Sequence, residues 1–253
     1  MALELYNDGE HICVLFSDLV TGEAVQANQF LIVDHRHAAL FDPGGELTYT
    51  RLFMALSEYL SVRSLDYVVA SHQDPDIVAS LNRWMVGTDC KAVVPQLWER
   101  FIPHFTAAGR TKGRLIGIPD AGMNMALGDI RISAIPAHFL HAEGNFHFYD
   151  PISKILFSGD MGANLASGEL SKPFKKIGEA ITYMEGFHRR YMNSNKVCRY
   201  WANMMRPLDI EWIVPQHGRP FKGEKVVNEF LDWISVLDCG VDLMTQDDYR
   251  LPE

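Results

Sequence analysis

The sequence predicts an α+β protein in which two β-sheets pack face to face and helices cover their outer faces. Short apolar runs rich in β-branched and aromatic residues alternate with segments of helical apolar spacing, and they do so in both halves of the 253-residue chain. Each sheet must bury its apolar face against another layer, which favours two packed sheets between helices. No linker or internal repeat divides the sequence, so we expect one domain over residues 1–253.

The first half is predicted to begin with antiparallel strands. They are the apolar runs in HICVLFSDL and NQFLIVDHRHAALFDPGG, which are bounded by turn residues. A helix follows in ELTYTRLFMALSEYL, where the spacing predicts that Leu47, Leu52, Leu56 and Leu60 face inward. After it we expect a strand in LDYVVA, a helix in IVASLNRWM, a strand in KAVVP and a short helix in QLWERFIPHF.

The second half repeats this alternation. A strand is predicted in DIRISAIPA, and a hairpin in NFHFYD and KILFSGD, which PISK joins. The long segment EAITYMEGFHRRYMNSNKVCRYWANMM is mostly helical by its apolar spacing. The last elements are a strand in IEWIVPQHG and a helix in EKVVNEFLDWISVL.

Composition excludes several classes of function. The net charge of −9 and the lack of a Lys/Arg stripe argue against a nucleic acid partner. The first residues do not form a signal peptide, and no apolar run approaches the ~18 residues that a membrane span needs. The four scattered cysteines predict neither a disulfide framework nor a cysteine metal site, and they fit reduced thiols in the cytoplasm.

Polar residues follow the predicted strand LDYVVA, in the stretch SHQDPDIVASL. Core packing has no use for His72, Asp74 and Asp76, and a polar turn that ends a strand is the simplest explanation, because Asp and Pro are ordinary turn residues. Three further strand ends resemble this one, however. They supply His138 and His141 in IPAHFLHAEG, Asp160 in ILFSGD and His217 in WIVPQHG.

Strand ends that lie along one edge of a sheet can bring distant sequence positions together. Three imidazoles and three carboxylates on rigid strands form a donor set that suits a metal site. Each strand end is a weak signal alone, but four in this order favour a metal centre over four unrelated turns.

This order resembles the metallo-β-lactamase superfamily, whose pattern is H-x-[HE]-x-D-H followed by H, D and H. The matching pieces are SHQDPDI, HAEG, LFSGD and PQHG, and QANQFLIVD, LFDPGG and LDYVVASH resemble the family's opening strands. The resemblance covers nearly the whole chain. It implies an αββα sandwich, the metallo-β-lactamase fold, with a binuclear metal site at the sheet edges.

The flavodiiron branch of that superfamily has H-x-E-P-D-H, and HQDPD with Pro75 is similar to it. A carboxylate, Asp74, stands where the hydrolases of the superfamily mostly have a histidine. Oxygen donors suit iron better than zinc, so we expect two iron ions, with zinc as the alternative.

The resemblance implies a ligand for each matching position. One metal would take His72, Asp74 and His141, and the other would take Asp76 and His217. Asp160 would bridge the two, with one carboxylate oxygen on each metal. His138 is the alternative to His141, although HAEG fits the family's H-x-x-G better.

The chain departs from the flavodiiron pattern at three points. Asp74 replaces a glutamate and is shorter by one methylene, and Ile77 replaces the histidine after the second aspartate. The second metal is therefore expected to have an open position, which is what binding of O2 or NO requires. We also expect no flavodoxin-like FMN domain in this chain, so reduction would need an external electron donor.

Three functions follow from these expectations. The first is a cytoplasmic di-iron protein that binds O2 or NO. It would act either as a sensor with a signalling partner or as a reductase core that also reduces the bound gas. The second is a zinc hydrolase of esters, thioesters or phosphodiesters, in which a metal-bound hydroxide attacks and Asp76 orients it. The third is a binding module whose site Ile77 has weakened. The di-iron function is compatible with a homodimer.

Four further residues are candidates for groups around the metals. Glu143 and His147 are placed to hold ligand imidazoles in one tautomer, and Tyr183 and Tyr191 are near the site by the same resemblance.

Overall fold

The computed structural model describes residues 1–22, 24–166 and 172–252, and its framework is two β-sheets. The strands of the first sheet are hydrogen-bonded in chain order: β1 (Ala2–Asn7), β2 (His11–Phe16), β3 (Gln29–Asp34), β4 (His37–Phe41), β5 (Tyr67–Val69), β6 (Lys91–Pro95) and β7 (Leu115–Ile118). Strands β1 to β4 run antiparallel, and β4 to β7 run parallel.

The second sheet is formed by the strands β8 (Met123–Leu127), β9 (Ile130–Pro136), β10 (Phe146–Asp150), β11 (Ile155–Phe157), β12 (Trp212–Val214) and β13 (Phe221–Lys222). Its order is β13-β12-β11-β10-β9-β8. Only the β11–β12 pair is parallel among these described strands, and the register joins Phe157 to Val214. The chain therefore leaves β11 and β12 at the same edge of the sheet.

The helices are α1 (Glu46–Leu56), α2 (Pro75–Val78), α3 (Leu81–Gly87), α4 (Gln96–Glu99), α5 (Ile177–Tyr191), α6 (Asn195–Met205) and α7 (Glu224–Val236). Short 3-10 turns cover Val62–Ser64, Ile102–His104, Gly240–Leu243 and Gln246–Asp248. Within the described ranges, no helix combines the length and apolarity that crossing a membrane would demand.

Three hydrophobic clusters hold these layers together. The cluster between the two sheets includes Phe30, Phe41 and Phe157, and the Phe41 and Phe157 rings stack with their centroids 5.8 Å apart. A second cluster joins the first sheet to α1 and α3, and a third joins the second sheet to α5, α6 and α7. Each fully buried Phe side chain stabilises the fold by about 1.5–3 kcal/mol through its burial.

The expected αββα sandwich is confirmed, and two details of the expectation are wrong. Leu47 is 57% exposed, whereas Leu52 and Leu56 are buried as expected. The segment IVASLNRWM forms two short helices, because the chain turns at Ser80, whose hydroxyl donates to the carbonyl of Pro43. Strands β1, β7, β8 and β13 lie outside the segments that the sequence pattern marked as strands.

Candidate metal centre

The loop after β5 places His72, Asp74 and Asp76 at one edge of the first sheet. The backbone N–H of Ser71 donates to Asp42 Oδ1 over 2.8 Å, and the carbonyl of Ser71 accepts from Phe146 N–H over 3.1 Å. These bonds tie the loop to the first sheet and to β10 of the second. Helix α2 then starts with a proline at its first position, whose fixed φ suits a helix start. Asp74 is at the N-cap position without a capping hydrogen bond from its side chain, and Asp76 lies in the first turn.

The second loop precedes β10 and carries His141. Its ends are joined by a hydrogen bond from Ala137 N–H to the carbonyl of Asn145 over 2.9 Å. Inside the loop, the side-chain amide of Asn145 donates to the carbonyl of Leu140, and the Leu140–His141 peptide bond is cis. The loop is therefore closed on itself at the edge where β10 begins.

Asp160 and His217 follow β11 and β12, whose parallel pairing brings them side by side. The N–H of Gln216 donates to the carbonyl of Gly159 over 2.7 Å, which joins the two loops one residue before each side chain. His217 Nδ1 lies 2.7 Å from the carbonyl of Gln26, to which it donates as the Nδ1–H tautomer. That hydrogen bond leaves Nε2 of His217 free to face the other site residues.

One carboxylate oxygen of Asp160 gathers the first group of donors. Its Oδ2 lies 2.7 Å from His141 Nε2 and 3.2 Å from His72 Nε2. Asp74 Oδ2 completes the group, at 3.4 Å from His141 Nε2 and 3.6 Å from His72 Nε2. The ligand atoms of these four residues all lie within 4.8 Å of one another, which is the spacing of donors around one metal ion.

The other oxygen of Asp160 faces a second group. Its Oδ1 lies 3.2 Å from His217 Nε2, which is also 3.4 Å from Asp76 Oδ2. One carboxylate thus separates two sets of donors, with one oxygen turned to each. Such an arrangement suits two cations at close range, because the shared negative charge offsets their repulsion.

The donors perturb one another strongly because they are partly or fully buried together. Burial disfavours a charged imidazole at His72, but the carboxylates of Asp160 and Asp74 outweigh it and raise its pKa to about 10. The pKa of His141 is raised to about 9 against burial by the same two carboxylates. A metal ion bound here would displace these protons, so its affinity would rise with pH.

Two buried polar atoms without hydrogen-bond partners indicate that these residues fit a pair of metal ions. His72 Nε2 and Asp160 Oδ1 are buried and make no hydrogen bond, although each lies within 3.2 Å of an oppositely charged group. Buried polar atoms are rarely left in that state unless an ion or a water satisfies them. The Nδ1 atom of His72 lies 3.0 Å from the hydroxyl of Ser71, an outer contact of the kind that orients metal-binding imidazoles.

Other residues singled out in the sequence lie outside the two groups. His138 Nε2 bonds to the carbonyl of Asp120 over 2.8 Å, and no ion pair joins His138 to a carboxylate among the described residues. Glu143 is exposed. His147 is buried and accepts a hydrogen bond from Trp201 Nε1 over 2.9 Å rather than bonding to a ligand imidazole. Burial lowers its pKa to about 3.

Ile77 is fully buried and belongs to the hydrophobic cluster on the first sheet and its helices. Both backbone polar groups of Ile77 form hydrogen bonds: its N–H donates to the carbonyl of Asp74, and its carbonyl accepts from Gly44 N–H. The position that the flavodiiron pattern gives to a histidine is therefore a packing position in this chain.

Among the groups around the centre, Tyr191 was a candidate from the sequence, whereas Phe187 and Asp42 were not. The Phe187 and Tyr191 rings of α5 lie 6.2 Å and 5.8 Å from the His141 ring, edge to face. Asp42, within the segment LFDPGG, holds the loop of His72. Burial raises the pKa of Asp42 to about 6. Asp42 has a φ of 50°, a left-handed conformation that Asp adopts more readily than most residues other than Gly.

A cleft of about 790 Å³ lies beside the second group. His217 lines it together with Asn164, Phe187, Arg190 and Tyr191. The second group thus contributes a residue, His217, to the wall of the cleft, while the His72 side chain of the first group is closed off from solvent.

A family profile described as ODP family beta lactamase matches residues 25–218. The chain belongs to this family. Two solved ODP structures are similar over almost their whole length. One, described as the peroxy diiron species of the chemotaxis sensor ODP, is 37% identical with a TM-score of 0.87, and the alignment covers 98% of this chain and 99% of that one. The apo state of the sensor ODP from T. denticola is 36% identical, with a TM-score of 0.86 and the same coverage.

More distant proteins share the fold of this ODP-family chain. A mutant flavo di-iron protein from Thermotoga maritima is 18% identical with a TM-score of 0.73, over 93% of this chain and 60% of that one. By sequence, an uncharacterized protein of Methanocaldococcus jannaschii is 25% identical over 211 residues, and a putative diflavin flavoprotein of Synechocystis sp. is 24% identical over 218. These matches cover 81% and 82% of this chain but only 52% and 35% of the two relatives.

Proposed function

We propose that this ODP-family chain binds two iron ions and uses them to bind O2 or NO as a sensor. His72, Asp74, His141 and Asp160 would hold the first iron, and Asp76, His217 and Asp160 the second. The observation that carries the proposal is the position of Asp160, whose two oxygens face two separate donor groups. The similar chemotaxis sensor, 37% identical over nearly the whole chain, is described as a peroxy diiron species.

The donor set supports iron over zinc. Three carboxylates and three imidazoles form a mixed oxygen and nitrogen set, and no thiolate takes part in either group among the described residues. Oxygen-rich sets suit iron, whereas zinc sites are richer in nitrogen and sulfur. When bound, the two irons supply the electrons that O2 binding requires.

The chain's own residues set the geometry and the access. The second group has fewer donors than the first among the described residues and lies next to the cleft, so an exogenous ligand would enter there. Phe187 and Tyr191 line the same cleft, and their rings lie edge to face with the His141 ring. The Phe187 ring limits the access of water to His141 and offers no donor atom.

Sensing, rather than turnover, is the form of this function that we propose. The chemotaxis sensor is 37% identical to this chain, whereas the flavo di-iron protein is 18% identical. A signalling partner would then read the occupied state, and an external electron donor would be needed only for reduction. We further propose a cytoplasmic location and a homodimer; four free thiols support the first of these.

The proposal is tested by exposing anaerobic, iron-loaded protein to O2. We expect a new visible absorption band from ligand-to-metal charge transfer, because the irons change oxidation level when O2 binds. The metal-free protein, treated identically, is the control and should stay colourless. An unchanged spectrum of the iron-loaded sample would contradict oxygen binding.

Metal analysis separates the hydrolase from the sensor. Protein purified without added metal should contain iron if the proposed function holds. Zinc together with hydrolysis of an ester, thioester or phosphodiester would favour the alternative in which Asp76 orients a metal-bound hydroxide.

Replacing Ile77 by histidine should have opposite effects on the metal-free and iron-loaded protein. Ile77 is fully buried among apolar side chains, so an imidazole there should lower the free energy of unfolding of the metal-free protein by about 1–3 kcal/mol. With iron, the imidazole becomes an additional donor to the second metal, so that iron should be retained longer against a chelator. Chemical unfolding and chelator competition measure the two effects.

Ile77→Leu is the matched control, because it keeps the apolar volume and adds no donor. It should change stability little and leave iron retention as in the wild type. If Ile77→His were destabilised equally with and without iron, and lost the second iron as fast as wild type, position 77 would be a packing position only.

A further inference from the structure

Two of the four thiols touch each other inside the protein. Cys198 Sγ lies 3.8 Å from Cys239 Sγ, and both side chains are fully buried. Cys198 is in α6, and Cys239 follows α7, so the two are 41 residues apart in sequence. A separation of 3.8 Å is van der Waals contact between sulfur atoms, with no group between them.

The other two thiols have no such neighbour. Cys13 Sγ lies 3.2 Å from Asp150 Oδ2, and Cys90 lies beside Thr88 and Arg114. Burial is the main cause that raises the pKa of both these thiols. At Cys239 the direction is opposite, because the contact with the Cys198 thiol lowers the pKa of Cys239; either sulfur can donate the hydrogen bond between them. Cys239 is therefore the sulfur best prepared to act as a nucleophile.

The backbone holds the two thiols in contact. The carboxylate of Asp242 accepts hydrogen bonds from the N–H groups of both Cys239 and Asn195, which is the first residue of α6. Val241 N–H donates to the carbonyl of Asn193 over 2.8 Å. Gly240, with φ of 52°, packs so closely on this turn that an added Cβ would lie 2.1 Å from the Asn193 carbonyl. These backbone contacts between the turn at Cys239 and the start of α6 hold the two sulfurs against each other.

We propose that Cys198 and Cys239 form a thiol–disulfide pair that hydrogen peroxide oxidises. The Cys239 thiolate attacks one peroxide oxygen and breaks the O–O bond, which leaves a sulfenic acid on Cys239, and the departing hydroxide takes a proton to become water. Cys198 sulfur then attacks Cys239 sulfur and expels the second water. Two thiols lose two electrons and two protons, and one peroxide becomes two waters. The sulfurs must approach from 3.8 Å to about 2.05 Å.

The bond would connect the segment after α7 covalently to α6. That segment already contacts the turn between α5 and α6, because Val241 bonds to Asn193, and Asn193 N–H in turn donates to the carbonyl of Phe139 over 3.2 Å. Phe139 belongs to the loop of His141. The oxidised pair would therefore restrain a turn that also contacts the metal-centre loop.

The test uses the full chain with zinc in its metal centre, because zinc is not redox active and peroxide then meets no iron. Reduced protein is treated with one equivalent of hydrogen peroxide, and thiols are counted under denaturing conditions by maleimide labelling and intact mass. We expect four thiols to become two and a peptide map to join Cys198 to Cys239. Dithiothreitol should restore all four.

Cys198→Ser and Cys239→Ser should abolish the cross-link, whereas Cys13→Ser should leave it intact. Hydrogen exchange of the segment after α7 should slow in the oxidised wild type but not in Cys198→Ser. The peptide map of the wild type decides the proposal even if a serine variant does not fold. Four remaining thiols, a cross-link to another residue, or oxidation of Cys239 beyond sulfenic acid without a cross-link would each overturn it.

Discussion

Asp160→Asn should lose both metals, which is the largest effect on metal binding that we expect from one substitution. Each oxygen of Asp160 faces a different donor group, so a neutral amide weakens both sites and no longer offsets the repulsion between the cations. Affinity should fall by more than the ~10–100-fold that loss of an outer-shell partner costs. Metal content after anaerobic iron loading and desalting measures the loss, and far-ultraviolet circular dichroism checks the fold.

His141→Ala should act on one site only, because His141 contacts Asp74 and Oδ2 of Asp160 but not the second group. The first iron should then be lost before the second. His138→Ala is the matched control, since His138 lies on the same loop and binds a backbone carbonyl instead of a carboxylate. Equal metal loss in the His138 and His141 variants, or full metal content in Asp160→Asn, would show that the ligand assignment is wrong.

His11→Ala should destabilise the fold by about 3–5 kcal/mol without removing metal. His11 Nε2 lies 2.7 Å from Asp150 Oδ2, and Nδ1 lies 3.2 Å from Asp34 Oδ1. Both carboxylates are buried, and the variant removes the one cation among the described residues that faces them, so that only neutral hydrogen-bond donors remain. His11 begins β2 and Asp150 ends β10, which places this group at the edge opposite the metal centre. Urea unfolding and metal analysis measure the two outcomes.

The loss of stability caused by His11→Ala should depend on pH. Burial acts to lower the pKa of His11, but Asp150 and Asp34 outweigh it and raise the pKa. The contribution of His11 to stability is therefore complete below its pKa in the unfolded chain, about 6.5, and is lost as pH rises through its pKa in the folded protein. Burial acts to raise the pKa of Asp150, but His11 outweighs it, so that contribution is lost as pH falls through the folded value. The difference between wild type and variant should be largest at roughly pH 4–6.5.

His35→Ala is the control for this prediction. His35 lies in the turn between β3 and β4, where its N–H donates to the carbonyl of Glu10, next to His11. Its Nε2 is 3.7 Å from Asp129 Oδ2, but both side chains are largely exposed to solvent. Exposed ion pairs contribute about 0–1 kcal/mol, so this variant should unfold close to the wild type. Similar losses in both variants, or a His11 loss that does not change with pH, would contradict a buried ion pair at His11.

The ligand candidates could be predicted from the sequence because each follows a short apolar strand. A buried strand that ends in His72, Asp74 and Asp76 is a local pattern, and so are the strand ends before Asp160 and His217. Local patterns of this kind carry their information within about ten residues, as do the β-branched runs that predict strands. The layered fold followed from the alternation of those runs with helical segments.

The sequence predicted the buried face of a short helix less well than it predicted the site residues. In α1 the buried residues are Thr48, Leu52 and Leu56, which recur every four residues along one stripe. Leu47 is adjacent to Thr48 in sequence, and one residue turns the side chain by about 100° around the helix. Only the position of the sheet under α1 decides which of two neighbouring residues faces it, and a leucine left on the exposed side is common.

The sequence by itself determined most of the strands, including those that precede the site residues, and the types of donor that follow them. Only the tertiary structure decided which atoms meet: that the two oxygens of Asp160 face different imidazoles, and that Cys198 lies against Cys239. The physical reason is distance along the chain. Contacts between residues tens of positions apart depend on how whole sheets and helices pack, and a register shift of one residue would turn each strand side chain to the opposite face.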